Sequence, residues 1–291
     1  MSVQSTPQQA SSSERVQMRT QAEKGKLFSE LHERESAFII PNPWDVGTAR
    51  LLAVLGFEAL ATTSAGYAFS AGKQDGAVTR DEMIAHVRDL AAATDLPVNA
   101  DLENGYGDSP ETAAETIRLA AEAGCVGGSI EDLYGRSGER EIYELELAVE
   151  RVRAAAETAH SLDLPFTFTA RCENFLAGLP DIHDTIKRLQ AYQEAGADVL
   201  YAPGLTSMDD IIAVVTSVDR PVNVVMGLQG VQLSLAQLST IGVKRVSVGS
   251  ALSRAALGAF MRAATEMRDQ GTFTFAKDAI SFREVMEMLG S

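Results

Sequence analysis

PVNADLENGYGDSPETAAETIRLAAEAGCVGGSIED, residues Pro97 to Asp132, holds one complete structural unit. Pro97–Glu103 and Gly127–Asp132 are brief runs, apolar nearly to their acidic ends, as a strand buried on both faces of a parallel sheet reads. Between them Ser109 stands as an N-cap, Pro110 takes the first helical position and Gly124 falls just past the end, so the spacing predicts a helix over 109–124. Strand, helix and parallel strand make one β/α unit.

The unit repeats outward in both directions. Similar strand runs lie at Phe38–Asn42, Ala59–Ser64, Pro165–Arg171, Val199–Pro203, Pro221–Val225 and Arg245–Gly249, which brings the strands to eight. Helical patterns fill the gaps. Thr79–Thr94 opens with a capping Thr and two acids, Glu141–Leu162 puts Leu145, Val149 and Val152 on one stripe, and Asp181–Gly196 opens with Asp and stops at Ala-Gly. Eight units of this kind predict an α/β fold, a (β/α)8 TIM-type barrel. A doubly wound open sheet needs a G-x-G-x-x-G phosphate loop after an early strand. The nearest stretch, Asn104–Ser109, lacks the third glycine and follows two acids that would repel a pyrophosphate.

Around the barrel, predicted over 21–260, lie a Ser/Gln-rich tail (1–20), read as disordered, and a helical extension (261–291). The extension continues a long helix, Ser250–Gln270, through a Phe-rich link into an amphipathic helix, Ala276–Leu289. That apolar helix needs a surface, on its own barrel or on a neighbouring subunit. The chain of 291 residues is 45% hydrophobic and carries 25 Lys+Arg against 40 Asp+Glu, a formal net charge of −15. Nucleic acids and anionic membranes are therefore disfavoured as partners. No apolar run approaches the roughly 20 residues of a membrane span. The N-terminus does not read as a secretory signal, and Cys125 and Cys172 make neither a disulfide framework nor a metal motif, so the expected compartment is the cytoplasm.

In a barrel of this type the chemistry sits at the C-terminal strand ends. Those ends hold Asn42, Trp44-Asp45, Thr63-Ser64, Asp101, Glu103, Glu131-Asp132, Arg171-Cys172-Glu173, Asn223 and Ser250. Asp101, Glu103 and Glu131 would repel one another in a dry rim, and a hard divalent cation with oxygen ligands resolves the conflict. Strand periodicity places Asp101 and Glu103 on one face. The competing reading has these acids capping helices or pairing with basic residues. Arg171 ends a strand that looks buried and needs an anionic partner. It either anchors an anionic substrate, which is the favoured reading, or neutralises Glu173 and Glu131. His32, His86, His160 and His183 fall on helices away from the strand ends, and Cys172 has no histidine beside it to activate it.

Five segments, taken together and in order, resemble the isocitrate lyase/phosphoenolpyruvate mutase superfamily over roughly residues 36–260. They are Asn42-Pro-Trp-Asp-Val-Gly-Thr-Ala-Arg50, Thr63-Ser64-Ala65 with Asp75 downstream, Asp101-Leu-Glu-Asn-Gly-Tyr-Gly107, Ser129-Ile-Glu-Asp132 and Thr169-Ala-Arg-Cys-Glu-Asn174. The resemblance implies a barrel whose last helix is exchanged between subunits of a dimer or tetramer. It also implies Mg2+ (Mn2+ being an alternative) and chemistry beside a 2-oxo acid through an enolpyruvate-like species. On that pattern Asp101 resembles the main metal ligand, with Glu103 and Glu131 acting directly or through waters and Asp75 in the metal's surroundings. Asp75, Glu131 and Arg171 are the expected catalytic residues. Thr63, Ser64, Ala65, Arg171 and Asn223 are expected to bind substrate, with the Ser64 and Ala65 N–H groups holding a carboxylate.

One segment departs from the family. The lyases carry K-K-C-G-H in the lid after the fourth strand, where this chain has Leu133-Tyr-Gly-Arg-Ser-Gly-Glu-Arg140. The sixth strand ends Tyr201-Ala202-Pro203, without the His of the phosphonopyruvate-processing members, and Glu103 replaces the commoner Asp. Arg136, Ser137, Glu139 and Arg140 become the lid groups for a distal substrate group, with Gly135 and Gly138 as hinges. The expected function is a Mg2+-dependent lyase or decarboxylase acting on a small 2-oxo or 2-hydroxy acid. The alternatives are a P–C bond mutase or hydrolase and a catalytically silent carboxylate-binding barrel.

Overall fold

The structure is a computed structural model that describes residues 18–135 and 141–290. Nearly all of the expected tail, and the lid groups Arg136, Ser137, Gly138, Glu139 and Arg140, lie outside the described residues. The barrel strands are β1 (Phe38–Ile40), β2 (Leu60–Ala61), β3 (Val98–Asp101), β4 (Gly127–Glu131), β5 (Thr167–Arg171), β6 (Val199–Tyr201), β7 (Val222–Val225) and β8 (Arg245–Ser247). Each falls inside the apolar run that predicted it. They pair in parallel in the order β1-β8-β7-β6-β5-β4-β3-β2, so first and last strands are neighbours. The seam between β1 and β2 is bridged where Ala61 N–H donates to the Pro41 carbonyl at 3.1 Å. Asn42 clasps the same corner. Its Nδ2 donates to the Thr62 carbonyl at 2.8 Å, and its Oδ1 accepts the Val248 and Gly249 N–H groups at 2.9 and 3.0 Å.

Helices cover the outside, and their starts follow the side chains that cap them. Thr79 and Glu82 form a capping box at Arg80–Ala93, Ser109 accepts from Thr112 N–H at Pro110–Glu122, and Asp181 accepts two N–H groups at Ile182–Glu194. The pattern read over Glu141–Leu162 becomes helical only from Leu145, ending at His160. Glu141–Ile142 instead pairs antiparallel with Leu133–Tyr134 in a small ribbon beyond β4. Two helices rather than one, Ser64–Ser70 and Arg80–Ala93, separate β2 from β3.

A further helix, Gln21–Glu33, precedes the barrel and closes its N-terminal end. Phe28 and Leu31, both fully buried, pack with Phe38, Ile40, Ala59, Ala61 and Val126 in a cluster separate from the main core. The chain's other end is different. Beyond Ala251–Gln270 the expected helix over 276–289 divides into a 3-10 turn (Thr274–Asp278) and a helix (Phe282–Leu289) that has no buried residue and touches the Val46–Val54 helix. No helix among the described residues is long and apolar enough to cross a membrane.

Candidate active site

A cavity of about 250 Å³ opens at the C-terminal strand ends, lined by Thr63, Ser64, Ala65, Asp75, Asp101, Glu103, Glu131, Arg171 and Asn223. All nine residues singled out in the sequence therefore meet in one place. At its centre is Arg171, the last residue of β5. Its NH1 lies 2.8 Å from Asp101 Oδ1, its NH2 lies 3.0 Å from Glu131 Oε2, and both its Nε and NH2 lie 2.9 Å from Glu173 Oε1. The Tyr201 ring backs the guanidinium at 5.2 Å. Of the two roles open to Arg171, the structure displays the second, a cation gathering carboxylates, and extends it to Asp101.

The strand ends make this convergence possible. Asp101, Glu131 and Arg171 terminate adjacent strands whose register pairs Asp101 with Ser129 and Glu131 with Arg171. Asp101 is further fixed by Ser64, whose N–H and Oγ–H both reach Oδ2, at 2.8 and 2.9 Å. Ser64 and Ala65 open the short helix after Thr63, which caps Gly66 N–H, so the Ser64 N–H expected to meet a substrate carboxylate here holds Asp101. Asn223 reaches the cavity from below rather than from the rim. Its Oδ1 accepts from Arg245 Nε at 2.9 Å and its Nδ2 donates to Ser247 Oγ at 3.0 Å.

Glu103 does not share a strand face with Asp101, because β3 ends at Asp101. Glu103 and Tyr106 have φ of 48° and 64°, in the left-handed region that side chains rarely adopt, with Gly105 at 82° between them. The turn still delivers Glu103 to the cavity. It is braced from behind by Arg151, which donates to the Gly107 carbonyl at 2.6 Å and to the Asn104 carbonyl, and whose guanidinium lies over the Tyr143 ring.

Burial dominates the electrostatics. It pushes Glu131 and Glu173 above the usual carboxylate range, against the pull of Arg171. Burial alone would lower the Arg171 pKa, but Glu173, Glu131 and Asp101 outweigh it and raise it. Cys172 is fully buried, and burial pushes its thiol well up, which suits packing rather than nucleophilic attack.

Several contributors were not assigned roles from the sequence. Asp132, 3% exposed, accepts Glu173 N–H at 2.8 Å through Oδ1 and the Tyr192 hydroxyl at 2.5 Å through Oδ2, with Arg188 NH1 at 3.3 Å. Arg245, buried under the cavity floor, donates to Asn223 and to Thr169 Oγ1 at 3.0 Å. Their partners are far away in sequence, so only an acid beside a strand end and an Arg inside an apolar run could have flagged them.

A divalent cation fits these residues in donor type and charge. Asp75, Asp101, Glu103, Glu131 and Glu173 supply hard oxygens to one cavity, and three of them already surround a single positive group. Among the described residues no three such side chains converge on one point as they stand, Arg171 being the cation they converge on.

Comparison with known proteins gives the same answer from another direction. The family model described as phosphoenolpyruvate phosphomutase matches residues 28–268. A solved Burkholderia cenocepacia J2315 protein, provisionally described as a lyase/mutase, is 62% identical with a TM-score of 0.90, over 93% of this chain and 97% of that one. The Corynebacterium glutamicum protein named probable 2-methylisocitrate lyase 2 is 30% identical over 84% of this chain and 80% of its own length. The oxaloacetate decarboxylase of Paraburkholderia xenovorans LB400 is 27% identical over 77% of this chain and 75% of its own. With its nearly closed parallel barrel and its acids gathered at the strand ends, this chain belongs to the phosphoenolpyruvate phosphomutase family and is an enzyme of the isocitrate lyase/phosphoenolpyruvate mutase superfamily.

Proposed function

We propose that the chain is a Mg2+- or Mn2+-dependent lyase or decarboxylase that acts on a small 2-oxo or 2-hydroxy dicarboxylate and releases a pyruvate-type product. The observation that carries this reading is the gathering of Asp101, Glu131 and Glu173 about Arg171 at the centre of a cavity of about 250 Å³, which has room for a small acid. A lyase and a decarboxylase among the relatives, one named for 2-methylisocitrate and one for oxaloacetate, favour the same substrate class.

Asp101, Glu103 and Glu131 would hold the cation, with Asp75 beside them. When bound, it supplies positive charge where an oxygen becomes negative as the carbon–carbon bond breaks. Arg171 grips one substrate carboxylate, and Thr63 and the first-turn N–H groups of Ser64 and Ala65 orient the other end, the Ser64 N–H becoming available once Asp101, which it holds in this structure, turns to the cation. Asn223 and Arg245 hold the floor rigid. In decarboxylation the bond's electron pair stays on the product as an enolate while carbon dioxide leaves, and water can supply the proton that completes the 2-oxo acid, so no proton-donating cysteine such as that of the lyases' K-K-C-G-H lid is required.

The test is a thermal melt with oxalate, a planar dianion shaped like the pyruvate enolate, with and without Mg2+. At a hundredfold excess over Kd the melting temperature should rise by about 5 °C, and only with both present. Asp101→Ala should abolish that rise and cut turnover at least about a hundredfold. Unchanged, Mg2+-dependent turnover in Asp101→Ala would overturn the reading. Phosphonopyruvate turnover exceeding that of every carbon-only acid would select P–C bond chemistry in its place.

A further inference from the structure

Asp101 and Glu131, two of the three carboxylates on Arg171, are the residues assigned above to a divalent cation. Once a cation takes them, Arg171 loses both contacts and would be left to swing. Glu173 is the partner that remains. We propose that Glu173 is the positioning residue for Arg171, and that it holds the guanidinium by Nε and NH2 while the remaining N–H groups turn to the substrate carboxylate. This inference rests on the reading of the site just given.

Three observations support it. Glu173 approaches the guanidinium from the side, with Oε1 2.9 Å from both Nε and NH2, so it can pin the group while NH1 stays turned toward the cavity. It is itself immobile, being 1% exposed, with its backbone N–H held at 2.8 Å by Asp132 Oδ1. Asp132 is anchored in turn by the Tyr192 hydroxyl and Arg188, so the chain of contacts runs from the outer helix Ile182–Glu194 to the guanidinium. Glu173 also makes an ion pair with Arg171 inside the barrel, where an unpaired guanidinium would be costly.

Glu173→Met, which keeps the side-chain length and removes both the charge and the acceptor oxygens, separates positioning from charge, because the two give opposite signs. Removing a negative charge beside the anion site should by itself tighten oxalate binding. Loss of the positioning contact should weaken it at least about tenfold, read by titration calorimetry at saturating Mn2+. Glu173→Asp keeps the charge and withdraws the carboxylate by a methylene. It should weaken oxalate while leaving the Mn2+ affinity, measured by electron paramagnetic resonance of free Mn2+, within about twofold of the wild type. Oxalate bound by Glu173→Met as tightly as by the wild type, or more tightly, would overturn the proposal and leave the cation site standing. A wild-type chain that binds no oxalate even with Mn2+ would instead overturn the reading of the site, and this inference with it.

Discussion

His86 stacks on Tyr67 with ring centroids 3.8 Å apart, and its buried Nε2 has no hydrogen-bond partner among the described residues. Burial holds its pKa down to about 4, against the pull of Asp89 and Asp45. His32, inside the barrel's closed end, is held down to about 3 by burial and by Arg245. Both folded values lie below the ordinary 6.5, so each ring contributes stability that is complete above that pH and lost as pH falls through the folded value. Glu131 and Glu173 carry the opposite sign. Their raised pKa values contribute stability below the ordinary carboxylate range that is lost as pH rises through the raised value. Acid sensitivity between pH 6.5 and 4 should therefore come from the histidines. His86→Phe keeps a ring on Tyr67 and removes the proton uptake. Urea unfolding across that range should show a shallower fall in stability than the wild type, and an identical slope would clear His86 of the effect.

Gly25 shows how the helix over the barrel's closed end depends on one missing methyl. A Cβ at this position would stand 2.2 Å from the Pro165 carbonyl oxygen and 3.2 Å from its carbon, both backbone atoms. Helix propensity alone favours Gly25→Ala by about 1 kcal/mol. Overpacking against a backbone that cannot yield should reverse the sign, with a net loss of about 2 kcal/mol in urea unfolding. A gain would show that the helix can ride away from β5. The sequence places His32 on a helix but does not reveal that helix's role in closing the barrel, because its contribution lies in contacts with residues far along the chain. The eight strands were legible, since burial on both faces leaves an apolar run that needs no partner to be recognised. Where the structure departs from the pattern, the cause lies in a neighbouring stretch of chain. Glu141–Ile142 looked helical but found Leu133–Tyr134, and Glu103 was given a strand's periodicity beyond the point where β3 turns. The site followed the same rule. Its residues could be located because barrel chemistry sits at strand ends. Glu131 and Glu173 are the partners that the second reading of Arg171 names, whereas Asp101, the third acid on it, and the Asp132–Tyr192 contact behind it depend on pairings across the fold that no local pattern encodes.

At the scale of the whole molecule, the C-terminal helices present an apolar face to solvent. Phe260, Phe273 and Phe282 are 65%, 67% and 83% exposed, with Met261 and Met286 beside them in sequence, and Ser253 is the one buried residue of Ala251–Gln270. Such a face on a single chain marks an interaction surface. A second copy of the chain is the occupant we propose, since closed symmetric pairing lets the same face serve both partners. Net charge works against this assembly. Two copies at −15 each repel across the distance of approach, while the apolar contact between them does not depend on screening. Self-association should therefore tighten as salt rises from about 0.02 to about 0.3 M, the Debye length falling well below 10 Å. Light scattering after gel filtration should find a dimer or tetramer for the wild type, and monomer for Phe260→Glu combined with Phe282→Glu. Arg254 lines the cavity from the same helix, so the separated chain should also bind oxalate more weakly. A wild type that is monomeric at both salts would show that the face has some other partner. A double variant that stays assembled would place the contact elsewhere on the barrel.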